Sequence, residues 1–508
     1  MMNILVINLG LKSIRAIVFD RDGRQLFSAS RPVHTALMGV KAEQDANEWP
    51  SLLHECLTAI RTGSTLAPTI RYATVTTSSS CSLGLDDKLK PVTPVYIVSD
   101  ARALEDAGEL SRRSAVKSLG PEGMSRFPAS SPLVKFAWLK RAEPETAKLV
   151  KYWVNAGDYL VGLLTGQLLT DPLNAEKCRY RGHGYDEAVL GAVGLKVQML
   201  PRVVQIGTLV PLTREFVQRY GFSEQAELVV TSYDAICAVL GSTDGSETTV
   251  CDVSGTVTSV RIALSSAQSV SFPLLSQDVG GGGLCLVGCS NNFGGGIVEW
   301  YKQFLRADSL GDVYAQLEAE AGLSAPGAQG VIFLPYLLGE RAPFYEPLAR
   351  GTFFGMSRET TPADLTRAVV ESTAFVTRDL VGAIQSQGIQ VDRLSVSGGL
   401  ARIGLVNQIK ADVTGLPVYV PENFESTAVG AFLLAGAAIK LFPNLRSAAA
   451  KVVKFRHIIT PNEELHALYG RSFCLFKEIN QSLGACYRRH AEIQRHTSSY
   501  RKVTLSNL

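Results

Sequence analysis

Two segments of this chain repeat one short pattern. The first, VINLGLKSIRAIVFD, lies near the N-terminus, and the second, VCDVSGTVTSVRIAL, lies about halfway along the sequence. Each segment has an apolar run, a glycine turn, a serine, an arginine two residues after the serine, and a second apolar run. The glycine, serine and arginine are Gly10, Ser13 and Arg15 in the first segment, and Gly255, Ser259 and Arg261 in the second. The pattern is typical of a β-hairpin, whose turn amides can bind phosphate oxygens. The repetition predicts a duplicated α/β domain with two phosphate-binding hairpins facing one cleft, and two unrelated hairpins are the alternative.

Length and charge limit the classes of protein to consider. A chain of 508 residues exceeds the size at which one hydrophobic core stops growing, so we expect at least two domains. Five Lys or Arg residues and one Glu lie after position 486, which leaves 45 basic and 46 acidic residues in the rest of the chain. This neutral body argues against nucleic acid as the main partner. We interpret the basic tail as a solvated terminus, with a binding arm as the alternative.

The spacing of the cysteines and the length of the apolar runs indicate the cellular compartment in which the protein is expected. The nine cysteines lack the paired spacing of a metal site, so we expect reduced thiols in the core. The longest apolar run, residues 428–439, is too short to cross a bilayer, and the first residues read as a strand rather than a signal peptide. The sequence therefore predicts a soluble cytoplasmic protein without a membrane partner.

The order of predicted elements places a domain boundary near residues 242–248. We expect an N-terminal domain over 1–245, a second domain over 246–445, and a helical extension with a basic tail over 446–508 that packs back across the first domain. The predicted strands lie within 3–20, 24–33, 69–77, 92–98, 227–230, 249–290, 393–399 and 417–421. The predicted helices lie at 48–62, in much of 101–200, and at 296–322, 362–387, 403–414 and 427–441.

Asp234, in VVTSYDAICAVLG, is the strongest candidate for chemistry. A predicted strand leads to it and a predicted helix follows at once, so its carboxylate lies at the strand end where open α/β sheets bind ligands. There it could accept a proton from a hydroxyl or help to hold a metal. A helix N-cap is the structural alternative, and the spacing leaves both readings open.

Three glycine-rich turns are further candidates. Gly255-Thr256 would offer amides and a hydroxyl to phosphate, and the glycines at 294–296 precede a predicted helix that could meet an anion. Gly398-Gly399 would leave room for a flat ring. Flexible loops or tight turns are the alternatives for each. The charged cluster of Glu340, Arg341 and Arg350 is predicted to be bonded internally.

In combination and in this order, these segments resemble the FGGY family of carbohydrate kinases. The match covers residues 3–440 and rests on the opening hairpin, LVKFAWLKRAEPE with Lys135 and Trp138, GDYLVGLLTG, SYDAICAVLG, SGT, FLPYLLGERAPF, RAVVESTAF, SGGLARIGLVNQIKADVTGLPV and ESTAVGAFLLAG. The resemblance implies an α/β fold of two actin-like (ribonuclease H-like) domains with a cleft between them. It also implies ATP with Mg²⁺ and transfer of the γ-phosphoryl group to a sugar or polyol hydroxyl.

The resemblance also assigns roles to residues. It makes Asp234 the general base, a metal ligand together with Asn8, and a substrate-binding residue. The ATP-binding residues that follow from it are Gly10, Lys12, Ser13, Arg15, Gly255, Thr256, Gly295, Glu299, Gly398 and Gly399, with the last two beside adenine. Arg15 could in addition face the transferred phosphoryl group.

Two stretches depart from the family pattern. The family opens with Asp-x-Gly-Thr-Thr/Ser-Ser, whereas this chain has Asn8 in place of the aspartate and Lys12 in place of a hydroxyl residue. These changes remove one negative charge and add one positive charge, a net change of +2 that should weaken Mg²⁺ attraction and strengthen attraction to ATP, unless Lys12 points to solvent. The sugar loop reads SSSC at 78–81, followed by Asp100 and Arg102 without the usual tryptophan. Ser79, Ser80, Asp100 and Arg102 are the predicted substrate-binding residues of these stretches.

The sequence therefore predicts an ATP-dependent sugar kinase, most plainly for a pentulose such as xylulose or ribulose. A kinase for glycerol or another polyol is the nearest alternative. The alternative from another functional class is an actin-like nucleotide-binding protein with weakened catalysis. Asn8 and Lys12 favour this alternative, and the presence of Asp234 argues against it. The predicted partners are a small sugar and ATP or ADP, and a homodimer is left open.

Overall fold

The computed structural model describes residues 2–112, 127–255, 257–280, 283–292, 294–304 and 313–505. Thr256 and the side chain of Glu299, two of the predicted ATP-binding residues, lie outside the described part.

The strands follow one another along the whole chain. In chain order they are β1 (Asn3–Leu9), β2 (Ser13–Phe19), β3 (Gln25–Pro32), β4 (Ala36–Met38), β5 (Lys41–Gln44), β6 (Ile70–Thr77), β7 (Ser82–Leu85), β8 (Val95–Tyr96), β9 (Tyr152–Asn155), β10 (Leu169–Thr170), β11 (Arg202–Val203), β12 (Leu209–Pro211), β13 (Glu227–Val229), β14 (Thr249–Ser254), β15 (Thr258–Leu264), β16 (Leu275–Asp278), β17 (Cys285–Ser290), β18 (Ile332–Leu334), β19 (Thr352–Phe354), β20 (Arg393–Gly398), β21 (Val418–Pro421) and β22 (Phe455–Ile459).

Helices alternate with these strands. In chain order they are α1 (Trp49–Gly63), α2 (Leu104–Arg112), α3 (Pro132–Ala142), α4 (Pro144–Leu149), α5 (Ala156–Thr165), α6 (Pro172–Ala175), α7 (Glu187–Val193), α8 (Arg214–Tyr220), α9 (Asp234–Leu240), α10 (Gly296–Phe304), α11 (Val313–Gly322), α12 (Pro362–Gln385), α13 (Gly404–Thr414), α14 (Ser426–Ala438), α15 (Leu445–Val452), α16 (Glu463–Ser482) and α17 (Gly484–Leu505). None of the helices in the described residues combines the length and apolar character needed to span a membrane.

Two large sheets repeat one topology, which confirms the predicted duplication. The first sheet has the order β3-β2-β1-β6-β13-β12, and the second has β17-β15-β14-β20-β21-β22 with β16 added at its edge. In each, an antiparallel hairpin (β1–β2, β14–β15) lies beside two parallel strands and an antiparallel outer strand. A smaller sheet, β4-β5-β8-β7-β9, extends the N-terminal half. The fold is mixed α/β with two related halves, as predicted.

The two halves meet through helices α9 and α14, which follow the equivalent strands β13 and β21. Their backbones touch: a Cβ on Gly430 would lie 1.7 Å from the carbonyl oxygen of Cys237, and one on Gly241 would lie 1.9 Å from that of Ser426. Only glycine permits such an approach. Apolar side chains of both halves, including Phe19 of β2, surround the crossing in one buried cluster.

Two predictions about elements were wrong. The C-terminal extension does not mainly pack across the first half, because Tyr469 and Phe476 of α16 belong to the core of the second half and β22 extends the second sheet. Helix α15 contacts the first half, where Lys451 pairs with Asp22 and Val452 lies against Gly23. The sequence pattern also missed β7, a four-residue strand that has too few residues to show a clear alternation.

Candidate active site

Asp234 begins α9 directly after the carboxyl end of β13, and its carboxylate faces the loop at residues 78–81. Ser78 Oγ donates to its Oδ2 at 3.0 Å, and the amide of Ala235 donates to its Oδ1 at 2.7 Å. Burial raises the pKa of Asp234 above its ordinary value, while the bonds from Ser78, Ala235 and the Ser79 amide oppose that rise. Tyr233, rather than Asp234, occupies the N-cap position of α9. The carboxylate is therefore not used as the cap that the sequence left as an alternative.

The loop at residues 78–81 is attached to the first hairpin and to a buried cation. The Ser78 amide donates to the carbonyl of Leu9 at the end of β1, at 3.2 Å. Ser80 adopts a left-handed conformation with φ of 59°. Lys135 of α3 is fully buried and donates to three carbonyl oxygens, those of Ser80 (3.1 Å), Tyr96 (3.0 Å) and Ile97 (2.7 Å). Burial lowers the pKa of its ammonium to about 8.

These contacts make Lys135 the residue that positions the predicted sugar loop. We expect Lys135→Met to lower the melting temperature, since each buried carbonyl left without a donor costs about 1–3 kcal/mol. The KM for the sugar should rise by about tenfold or more, because the loop at residues 78–81 loses the contact that holds it in place. The KM for ATP should stay near normal, because Lys135 does not hold the predicted nucleotide site. Steady-state kinetics and thermal unfolding measure both effects.

Arg141→Met is the matched control, because Arg141 lies on the same helix in a half-exposed ion pair with Asp106. It should change neither KM by more than about twofold. An unchanged sugar KM in folded Lys135→Met would exclude the positioning role.

Asp100 and Arg102 lie near this loop but are largely occupied by each other. Arg102 donates to both oxygens of Asp100 and to Glu43, and its guanidinium lies over the rings of Tyr96 and Trp138 at 4.7 and 4.8 Å. The two side chains are 0% and 3% exposed. These are the contacts of a structural ion pair, so a direct role of Asp100 and Arg102 in sugar binding stays a prediction.

The first hairpin places its predicted ligands around the β1–β2 turn. Asn8 is buried near the end of β1, Lys12 is exposed at the turn, and Gly10 has open space where a Cβ would stand. Arg15 donates through Nε to Ser13 Oγ at 3.1 Å and through Nη1 to Glu425, next to α14. The sequence did not indicate this ion pair, because Glu425 lies 410 residues further along the chain.

The second hairpin is enclosed by glycines of two other segments. A Cβ on Gly295 would lie 2.4 Å from the carbonyl oxygen of Gly255, and one on Gly398 (φ 86°) would lie 2.2 Å from that of Ser254. A Cβ on Gly399 would meet the hydroxyl of Tyr314 at 2.5 Å. Close backbone packing therefore explains Gly295 and Gly398, and the contacts of all three glycines to the nucleotide remain predictions.

The charged side chains of Glu340, Arg341 and Arg350 bind backbone groups, and within the described residues they form no ion pair with one another. Buried Glu340 accepts from the amides of Asn292 and Arg341 at 3.0 and 2.8 Å, and burial raises its pKa to about 7. The Arg341 guanidinium donates to the carbonyls of Ser290 and Asn291 at 2.8 and 2.9 Å. Arg350 donates to the carbonyl of Ala349.

The hairpin turns suit a polyphosphate. At both Gly10 and Gly255 a Cβ would have no neighbour closer than 3.7 Å, so neighbouring atoms do not crowd either glycine, although the Gly10 amide itself donates to the carbonyl of Ser13 at 2.9 Å. Among the described residues, no group of three His, Cys, Asp or Glu side chains could hold a metal. Mg²⁺ bound to phosphates keeps several waters and needs only one or two protein oxygens, for which Asp234 and Asn8 are suited.

Family models match both halves of the chain. Residues 3–241 match the N-terminal domain and residues 253–439 the C-terminal domain of the FGGY family of carbohydrate kinases. The chain belongs to this family. FGGY kinases use ATP, so the protein is an ATP-dependent carbohydrate kinase, and the resemblance seen in its motifs is confirmed.

Relatives with three different substrates match this FGGY kinase over almost its whole length. It is 25% identical to a gluconokinase of Bacillus subtilis (97% of this chain, 98% of the relative) and 24% identical to a xylulose kinase of Lactococcus lactis (94% and 96%). It is 28% identical to a glycerol kinase of Aromatoleum aromaticum (88% and 92%). The crystal structure of gluconate kinase from Lactobacillus acidophilus superposes with a TM-score of 0.84 at 22% identity, covering 96% of this chain and 99% of that one, which establishes the two-domain fold.

Proposed function

We propose that Asp234 is the general base that accepts the proton of the substrate hydroxyl during phosphoryl transfer. The observation that carries this proposal is the carboxylate's position: it stands at the carboxyl end of β13 and is held by Ser78 Oγ and the Ala235 amide. A base must be oriented towards the proton it removes, and these two bonds fix the carboxylate. Its raised pKa makes it a stronger proton acceptor than an exposed aspartate.

The other residues of the site bind and orient the reactants. The turn amides near Gly10 and Gly255, with Thr256, would hold the ATP phosphates, and Lys12 would add a positive charge. Asp234 and Asn8 would supply oxygens to Mg²⁺, which neutralises phosphate charge when bound. Closure of the two halves would exclude water, so that the sugar hydroxyl rather than water attacks.

We propose a pentulose such as xylulose or ribulose as the acceptor, with a sugar acid such as gluconate as the second candidate. A xylulose kinase that matches 94% of this chain supports the first. A gluconokinase that matches 97% of it supports the second. A polyol such as glycerol remains the third candidate, supported by a glycerol kinase among the relatives.

An ADP-release assay with Mg-ATP separates the candidates. Xylulose, ribulose, gluconate, glycerol and glucitol are compared at equal concentrations, with ATP hydrolysis in the absence of an acceptor as the blank. We expect one class to exceed the others in kcat/KM by about tenfold or more. If no acceptor raises ADP release above the blank while ATP still binds, the weakened nucleotide-binding protein becomes the correct description.

A further inference from the structure

The two hairpins share an arginine that is held in the same way. Arg15 Nε donates to Ser13 Oγ at 3.1 Å, and Arg261 Nε donates to Ser259 Oγ at 3.1 Å. Each arginine lies on the second strand of its hairpin. The duplication therefore extends from the sheets to the side chains, and it allows the surroundings of the two arginines to be compared.

The partners of the two arginines differ in charge. Arg15 forms an ion pair with Glu425, which is the N-cap residue of α14. The residue at the equivalent N-cap of α9 is Tyr233. Arg261 reaches it only through Gln277: its Nη1 donates to Gln277 Oε1, and Gln277 Nε2 donates to the Tyr233 hydroxyl at 3.3 Å. One copy of the arginine has a carboxylate, and the other has neutral groups.

Arg261 is thus a buried cation without a counter-charge. The residue is 6% exposed, and among the described residues it forms no ion pair. Buried charges in proteins are normally paired, because desolvation without compensation costs several kcal/mol. The arrangement is that of a site whose anion comes from outside the chain.

A second cation lies against Tyr233. Lys177 Nζ stands 4.8 Å from the centre of the Tyr233 ring, and within the described chain it too lacks an ion pair. Tyr233 directly precedes Asp234 in the chain, so Lys177 and the Arg261–Gln277 pair both approach the segment that carries this carboxylate. Glu176, the acidic neighbour of Lys177 in the chain, is exposed.

We propose that Arg261 and Lys177 form a binding site for an anionic group beside Asp234, with carboxylate or phosphate oxygens as the ligand. The location rests on the proposed function, in which Asp234 marks the acceptor end of the cleft. Two sources supply this chemistry: the carboxylate of a sugar acid, or the phosphoryl group on its way to a neutral sugar. Arginine suits both, because its planar guanidinium offers paired donors to either group.

Calorimetry with matched ligands tests the site without relying on turnover. The probes are gluconate, its neutral counterpart glucitol, and inorganic phosphate in the presence of saturating ADP. The variants are Arg261→Met and Lys177→Met. Arg393→Met is the control, because Arg393 lies on β20 of the same sheet and is paired with Asp244.

We expect both variants to bind at least one of the two anions about tenfold or more weakly, because each variant loses a charge-assisted bond. Their affinity for glucitol should be unchanged. Weaker binding of gluconate alone identifies a carboxylate site, and weaker binding of phosphate alone identifies a phosphoryl site. Weaker binding of both ligands identifies a site that accepts either group. Lys177→Met, at a half-buried position, carries the test if Arg261→Met does not fold.

The proposal is overturned if Arg261→Met and Lys177→Met bind both anions as tightly as Arg393→Met does. It is also overturned if the unmodified protein binds neither anion. The role of Asp234 is judged separately, from sugar-dependent ADP release, so that failure of the base assignment and failure of the anion site are distinguishable.

Discussion

Replacement of Asp234 by asparagine is expected to lower sugar-dependent turnover by about 10²–10⁴-fold, the range assigned to general acid–base catalysis. The amide keeps the size of the side chain; its oxygen can accept from the Ala235 amide and its NH2 group can donate to Ser78 Oγ, so the fold and ATP affinity should be nearly unchanged. The measurements are kcat with the best acceptor and ATP binding by calorimetry. Turnover near that of the unmodified protein would remove Asp234 from the mechanism.

The pH profile provides a companion test. The base works only when ionised, and burial raises the pKa of Asp234, so activity should fall on the acid side at a pH above the ordinary aspartate value of 3.8. Ser78→Ala removes a bond that lowers this pKa. The acid limb of kcat/KM should therefore move to higher pH in Ser78→Ala, and a limb that stays in place would mean that another group controls it.

Replacement of Gly430 by alanine is expected to reverse the usual effect of this change. In an exposed helix, Gly→Ala stabilises by up to about 1 kcal/mol. At Gly430 the new methyl group would lie 1.7 Å from the carbonyl oxygen of Cys237, which is backbone and cannot move aside alone. Because α9 and α14 must then separate, we expect a loss of about 3 kcal/mol or more and a large fall in activity.

Gly382→Ala is the matched control for that experiment. Gly382 lies in helix α12, and a Cβ there would meet no atom within 4 Å. This variant should melt at the same temperature as the unmodified protein or slightly higher. Equal melting temperatures for the two alanine variants would show that the crossing tolerates a wider separation.

The hairpins and the position of Asp234 were predictable because their signals are local. An apolar alternation interrupted by a glycine turn occupies about 15 consecutive residues, and Asp234 lies in a separate short stretch where a strand is followed by a helix. The length of the chain was likewise sufficient to predict that it has at least two domains. The boundaries of the three predicted domains remain predictions.

The site's supporting contacts were not predictable, because they join residues far apart in the chain. Lys135 meets the carbonyl of Ser80 across 55 positions, and Arg15 meets Glu425 across 410. Neither residue's own neighbours reveal the partner. The glycines at 294–296 and at 398–399 show a second limit: their spacing suggested contact with a ligand, whereas the structure accounts for Gly295 and Gly398 by packing against the second hairpin.

The backbone contact between α9 and α14 determines how the halves can move. Helices that touch at Gly241 and Gly430 inside an apolar cluster cannot slide or part without breaking close packing, so rotation about their crossing is the motion that this contact permits. Asp234 lies three residues before Cys237, where α9 meets Gly430. A rotation of the halves about this crossing would therefore move Asp234 less than the residues far from it.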